Sequence, residues 1–138
     1  MHFDVKKVVL GGLAAGLAIF LISWAVSMVV QFVLPFDIFA LGGMREAEDP
    51  LMAFYFAYPW VLGFAMSIAY AKFKDAFKVT GVRRGKAFGL YAWILAGLPN
   101  AFIVFTSMNY PVGFTVNSVL GSLLYMVAAG IVLSKTIR

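Results

Sequence analysis

Four stretches of apolar residues, separated by short polar segments, dominate the pattern of this chain. Each has the roughly 20 residues that a helix needs to cross the hydrocarbon core of a bilayer. Because lipid offers the backbone no hydrogen-bond partners, such spans must be helical. The predicted spans are residues 8–34, 51–71, 87–106 and 114–134. Their short connections predict an all-α integral membrane protein, a single domain 1–138 folded as an up-down-up-down four-helix transmembrane bundle.

Helix-breaking and capping residues set the limits of these spans. Pro35 ends the first, and Asp49 with Pro50 suits the N-cap and first helical position of the second. The uncharged stretch 87–134 is too long for one span. A turn at residues 107–113, rich in helix-breaking residues, is therefore predicted to divide it into two.

Basic residues are distributed unevenly among the connecting segments. Of the eleven Lys and Arg residues, all but Arg45 precede the first span, lie between the second and third, or follow the fourth. Arg45 lies in an acidic loop, residues 36–50, which we expect on the outer side. Because basic residues near span ends are retained in the cytoplasm, both termini are predicted to be cytoplasmic.

The predicted cytoplasmic loop 72–86 carries most of this positive charge. We expect it to contact anionic lipid headgroups, at about 1 kcal/mol per basic residue. The net charge of +5 is therefore interpreted as a preference for the bilayer surface and not for nucleic acid. The residues assigned to this contact are Lys72, Lys74, Lys78, Arg83, Arg84 and Lys86.

A stripe of small residues runs along the first span, within an arc of about 60°. Small residues allow membrane helices to approach closely. Two interpretations remain open: an interface with a second copy or a partner subunit, or packing between helices of the same chain. Gly85 and Gly89 have similar spacing but begin in the charged loop, so they are interpreted as turn residues. The stripe consists of Gly12, Gly16, Ser23 and Ser27.

Polar residues of three spans fall in the predicted outer half of the membrane. Kinks at Pro59 and Pro99 are expected to open space beside them. They are interpreted as the lining of a small cavity for a polar or aromatic ligand, or as a hydrogen-bond network between helices. The residues are Tyr55, Tyr58, Asn100, Asn117 and Ser118.

The composition narrows the function classes. The chain is 63% hydrophobic and 12% charged, as expected for a membrane protein. It has no cysteine, and its one histidine, His2, lies beside the terminus. No ionisable Asp, Glu, Lys, Arg or His lies inside a predicted span, which argues against proton-coupled transport. We therefore expect no catalytic residue, no metal site and no cofactor, and do not expect an enzyme.

Two functions fit these patterns. The first is a small structural or accessory subunit that packs with itself, as a homo-oligomer, or with a larger membrane complex. The alternative is an oligomeric passive channel or small-solute transporter that uses the polar outer-half cavity. The run Tyr58-Pro59-Trp60 resembles segments of small prokaryotic membrane proteins, which implies the plasma membrane as location and carries no function.

Overall fold

The computed structural model describes residues 4–40 and 42–138, so His2 lies outside the described residues. The described part of the chain forms helices and no β-strand, which confirms the all-helical prediction. Short 3₁₀ turns occupy Ile38–Ala40 and Lys74–Ala76, and a π-helical turn occupies Trp93–Gly97. The α-helices are α1 Val5–Val33, α2 Met52–Tyr55, α3 Tyr58–Phe73, α4 Gly81–Ala92, α5 Leu98–Ser107 and α6 Val112–Thr136.

Within residues 4–40 and 42–138, three helices are long and apolar enough to cross a membrane, which supports the prediction of a membrane protein. They are Val5–Val33, the continuous helix Gly81–Ser107, and Val112–Thr136. The second predicted span, 51–71, forms two helices separated at Phe56 and Ala57. Of these, α3 has 16 residues, a length of about 24 Å. The predicted N-cap at Asp49 and helix start at Pro50 are wrong: α2 begins at Met52 with Leu51 as its N-cap, and Asp49 lies in the preceding turn, where it accepts a hydrogen bond from the Leu51 amide at 2.9 Å.

The helix containing α4 begins inside the segment that we predicted as the loop 72–86. Gly81, with a φ of +61°, makes the turn from which α4 starts. Gly85 and Gly89 therefore lie within a helix, and their interpretation as turn residues is wrong. The charged residues within 81–86 led to the prediction of a loop. Charged residues are nevertheless compatible with a helix that extends beyond the apolar region.

Pro99 is accommodated by the π-helical turn that immediately precedes it. Proline cannot donate a backbone hydrogen bond, and its ring crowds the preceding turn of a helix. The wider turn at Trp93–Gly97 absorbs this change, and the helix continues as α5.

The helices are arranged side by side in the order α3, α1, α6 and α4, so α1 and α6 are central. Two contacts between helices are close enough to require glycine. Gly63 of α3 packs against the α1 backbone at Gly12 and Gly16, and Gly130 of α6 packs against the α4 backbone at Gly85.

The two ends of the bundle differ in packing. Near residues 72–86, which we call the basic end, Tyr70 of α3 stacks edge-on against Phe88 of α4 at 5.1 Å between ring centroids. This contact brings the two outer helices together. Toward the opposite end, α3 and α5 are not packed against each other along their length. A gap therefore opens between them, with α1 and α6 as its floor.

Candidate functional site

The gap between α3 and α5 forms a cleft of about 650 Å³. Its walls come from α1, from α2 and α3, from α5 and from α6. All five residues predicted to form the polar cavity line this cleft: Tyr55, Tyr58, Asn100, Asn117 and Ser118. Ser23 and Ser27 of the small-residue stripe line it as well. The structure thus brings together residues that are up to about 90 positions apart in the sequence, as the Ser27–Asn117 contact illustrates.

The cleft ends toward the basic end in apolar side chains. Ile19, Leu62 and Met126 line it there. Ile19 and Met126 also belong to the buried core, which continues toward the basic end through Tyr70 and Leu133. The cleft is therefore a depression with a closed apolar base and a polar upper part.

Some of the polar side chains in the cleft bond to each other. The Ser27 hydroxyl donates to Oδ1 of Asn117 at 3.3 Å, which joins α1 to α6. Tyr58 and Tyr125 both line the cleft, from α3 and α6, and are close enough to interact electrostatically. These contacts stabilise the arrangement of helices around the cleft, as expected for hydrogen bonds between membrane helices.

A further hydrogen bond lies at the base of the cleft, beside the π-helical turn. The Trp93 indole nitrogen donates to the hydroxyl of buried Ser122 at 3.0 Å. Ser122 in turn donates to the Val119 carbonyl at 3.1 Å. The sequence analysis missed this pair. The pattern signal that could have found it is a tryptophan six residues before a proline in the same span, facing a serine of the next.

Other polar groups of the cleft have no hydrogen-bond partner among the described residues. Asn100 is exposed on α5, and its amide forms no hydrogen bond with any described residue. The same holds for the half-buried Ser118 hydroxyl on α6. An amide and a hydroxyl thus remain available for a partner that enters the cleft.

The remaining part of the small-residue stripe serves packing within the chain. Gly12 and Gly16 are buried on α1 beneath α3. A Cβ added to Gly12 would contact the Phe64 ring, and one added to Gly16 would contact the Trp60 ring. In the structure these glycines therefore pack against another helix of the same chain, which is the second of the two interpretations left open.

The six basic residues assigned to lipid headgroups do not share one environment. Lys78, Arg83 and Lys86 are exposed, as is Lys72. Lys74 donates through Nζ to the Arg138 carbonyl at 2.9 Å. Arg84 donates through Nε to the Val79 carbonyl at 3.0 Å, and its side chain is only half-exposed.

Comparison with known proteins adds no relative. No protein-family model, curated protein or solved structure matches this chain. Among the described residues, no three His, Cys, Asp or Glu side chains converge in a way that could hold a metal ion. The chemistry of the cleft is thus that of amides, hydroxyls and aromatic rings, which bind and orient other groups.

Proposed function

We propose that this chain is a non-catalytic, multi-pass protein of the plasma membrane that acts as an accessory subunit, binding a transmembrane helix of a larger complex in its cleft. In this proposal α2 and α3 together form one further span, the second along the chain, which brings the number of spans to four. With an even number of spans, both termini lie on one side, the cytoplasmic side, with the basic end. The uncharged run from Pro50 to Ala71 supports this assignment. So does the contact of Gly63 with α1, which places α3 beside a helix that is itself long enough to span.

The observation that carries the proposal is the unpartnered Asn100 amide in a cleft that opens between two helices. In hydrocarbon, a polar group without a hydrogen bond costs several kcal/mol, of the order of 4 for a buried amide. A neighbouring helix with its own polar side chain removes this cost. Hydrogen bonds of this kind contribute about 0.6–2 kcal/mol each to association of membrane helices.

The experiment is affinity purification of the tagged full chain after extraction with a mild detergent, followed by native mass spectrometry. We expect a stoichiometric membrane partner, and we expect Asn100→Leu to lower its recovery. Thr106→Val is the matched control, because Thr106 lies on the same helix and its hydroxyl bonds to the Phe102 carbonyl of that helix. A monomer without any partner would contradict the proposal. A homo-oligomer that survives extraction would identify the occupant of the cleft as a second copy.

A second candidate function, small-solute transport, is favoured by the size and lining of the cleft. Its volume of about 650 Å³ lies within the range of small-molecule sites. The apolar base at Ile19, Leu62 and Met126 opposes a passive channel, because a solute would have to pass through the core. Transport would therefore require the helices to move. Proteoliposomes that show solute flux, reduced by Asn117→Leu, would favour this candidate over the accessory subunit.

A further inference from the structure

A second cavity, of about 450 Å³, lies at the basic end of the bundle. It is separate from the cleft between α3 and α5, with which it shares no lining residue. Its walls come from the end of α3, the start of α4 and the end of α6. The lining residues are Tyr70, Thr80, Gly81, Val82, Arg84, Ser134, Lys135, Ile137 and Arg138.

The charges around this cavity are of one sign. Arg84, Lys135 and Arg138 carry three positive charges, and none of the described lining residues is acidic. Asp75 is close enough to Tyr70 to interact with it electrostatically, but it does not line the cavity. Positively charged side chains that are close together repel each other, so an anion in the cavity would relieve an unfavourable interaction.

Arg84 is held in place for such a role before any ligand arrives. Its Nε is fixed by the Val79 carbonyl at 3.0 Å. Its guanidinium lies beside the hydroxyl of Tyr70, whose ring is buried against Phe88. Arg84 itself lines the cavity. A planar fork fixed in this way suits the paired oxygens of a phosphate group.

The neighbouring groups add donors of the same kind. Thr80 lines the cavity with a hydroxyl donor, whereas the Ser134 hydroxyl, which also lines it, already donates to the Ile131 carbonyl at 2.6 Å. The first turn of α4, which starts at Gly81, has no side-chain cap, so its amide groups are free of that partner. The cavity therefore combines three cationic side chains, of which Arg84 is held by a hydrogen bond, with the Thr80 hydroxyl and the first amides of α4.

We infer that this cavity binds a phosphate group carried by a larger molecule at the membrane surface. The volume exceeds that of a phosphate ion and leaves room for an esterified alcohol. Two sources share this chemistry: the headgroup of an anionic phospholipid, and a soluble phosphate ester. The inference does not depend on the function proposed for the cleft. It differs from a general attraction of basic residues to lipid, because it assigns binding to Arg84 and Lys135 and not to Arg83 and Lys86.

The test uses the purified full chain in a neutral detergent. Isothermal titration calorimetry would measure binding of glycerol 3-phosphate and of short-chain phosphatidic acid, with short-chain phosphatidylcholine as the zwitterionic comparison. Tighter binding of phosphatidic acid identifies a lipid headgroup as the ligand, and equal binding identifies a soluble phosphate ester. Absence of binding for both anionic probes overturns the inference.

Two double variants with the same change in charge distinguish the cavity from diffuse attraction. Arg84→Gln with Lys135→Gln should weaken binding about tenfold or more, because each removes a charge-assisted hydrogen bond. Arg83→Gln with Lys86→Gln should leave the affinity within about twofold, since neither side chain lines the cavity. Equal losses in the two variants would overturn the inference. If the Arg84 variant does not fold, the single change Lys135→Gln, at an exposed residue, provides the same comparison.

Discussion

The close approach of α6 to α4 makes Gly130→Ala the most informative single change for the fold. A Cβ at position 130 would lie 2.2 Å from the carbonyl oxygen of Gly85 and 3.0 Å from the amide nitrogen of Gly89. Both atoms belong to the backbone of α4, so no side-chain rotation relieves the contact. The two helices would have to separate until the first distance exceeds about 3.0 Å.

The magnitude follows from two opposing effects. Overpacking a well-packed contact costs about 1–3 kcal/mol, and a backbone-to-backbone contact belongs at the upper end. Replacing glycine by alanine within a helix gains about 1 kcal/mol in helix propensity. We therefore expect Gly130→Ala to lower the free energy of unfolding by about 2 kcal/mol, about thirtyfold in the equilibrium constant.

Gly121→Ala on the same helix is the matched control. There the added Cβ would lie 3.7 Å from Val26 and 3.9 Å from Asn117, which is ordinary contact. Only the gain in helix propensity applies, so this variant should be as stable as the parent or up to about 1 kcal/mol more stable. Unfolding by sodium dodecyl sulfate in mixed micelles, followed by far-ultraviolet circular dichroism, measures the difference. Equal stability of the two alanine variants would refute the described contact between α4 and α6.

Two further changes test other contacts by the same assay. Gly63→Ala should destabilise the protein by about 1–3 kcal/mol. Its Cβ would lie 2.6 Å from the α1 backbone nitrogen of Gly16. An unaltered unfolding curve would mean that α3 does not pack on α1 in this way. Trp93→Phe and Ser122→Ala should each cost about 1 kcal/mol by breaking their shared hydrogen bond. The double variant should cost less than the sum of the two, and simple additivity would contradict the bond.

Three of the four predicted spans correspond to helices long enough to cross a membrane, and the residues predicted to form a cavity line one cleft, because both predictions depend on local signals. Long apolar runs are sufficient to predict helices in a membrane, and Tyr58, Asn100 and Asn117 were grouped by depth alone. Depth can be counted from the ends of a span, without knowing which helices are neighbours. The structure adds the neighbour relations and places the three side chains around one cleft.

The features that the sequence did not reveal depend on contacts between distant segments. Gly85 resembles a turn residue until Gly130, on another helix, is found against its carbonyl group. The basic cavity has the same origin, because Arg84 and Lys135 are neighbours only after α4 and α6 have packed. When charges are counted loop by loop, Arg84 and Lys135 are simply basic residues of the cytoplasmic side, as Arg83 is. Arg83 lies next to Arg84 in the sequence but does not line the cavity.

The two glycine contacts and the cleft have a common physical cause. Gly63 fixes α3 against α1, and Gly130 fixes α4 against α6, so the chain contains two tightly packed helix pairs. Tyr70 and Phe88 join the outer members of these pairs at the basic end. The π-helical turn precedes α5, and α3 and α5 are not packed against each other along their length. Because backbone contacts hold each pair rigid, the resulting space is not removed by small shifts of side chains. A cleft beside the Asn100 amide, which has no hydrogen-bond partner among the described residues, is therefore a consequence of the way the helices pack.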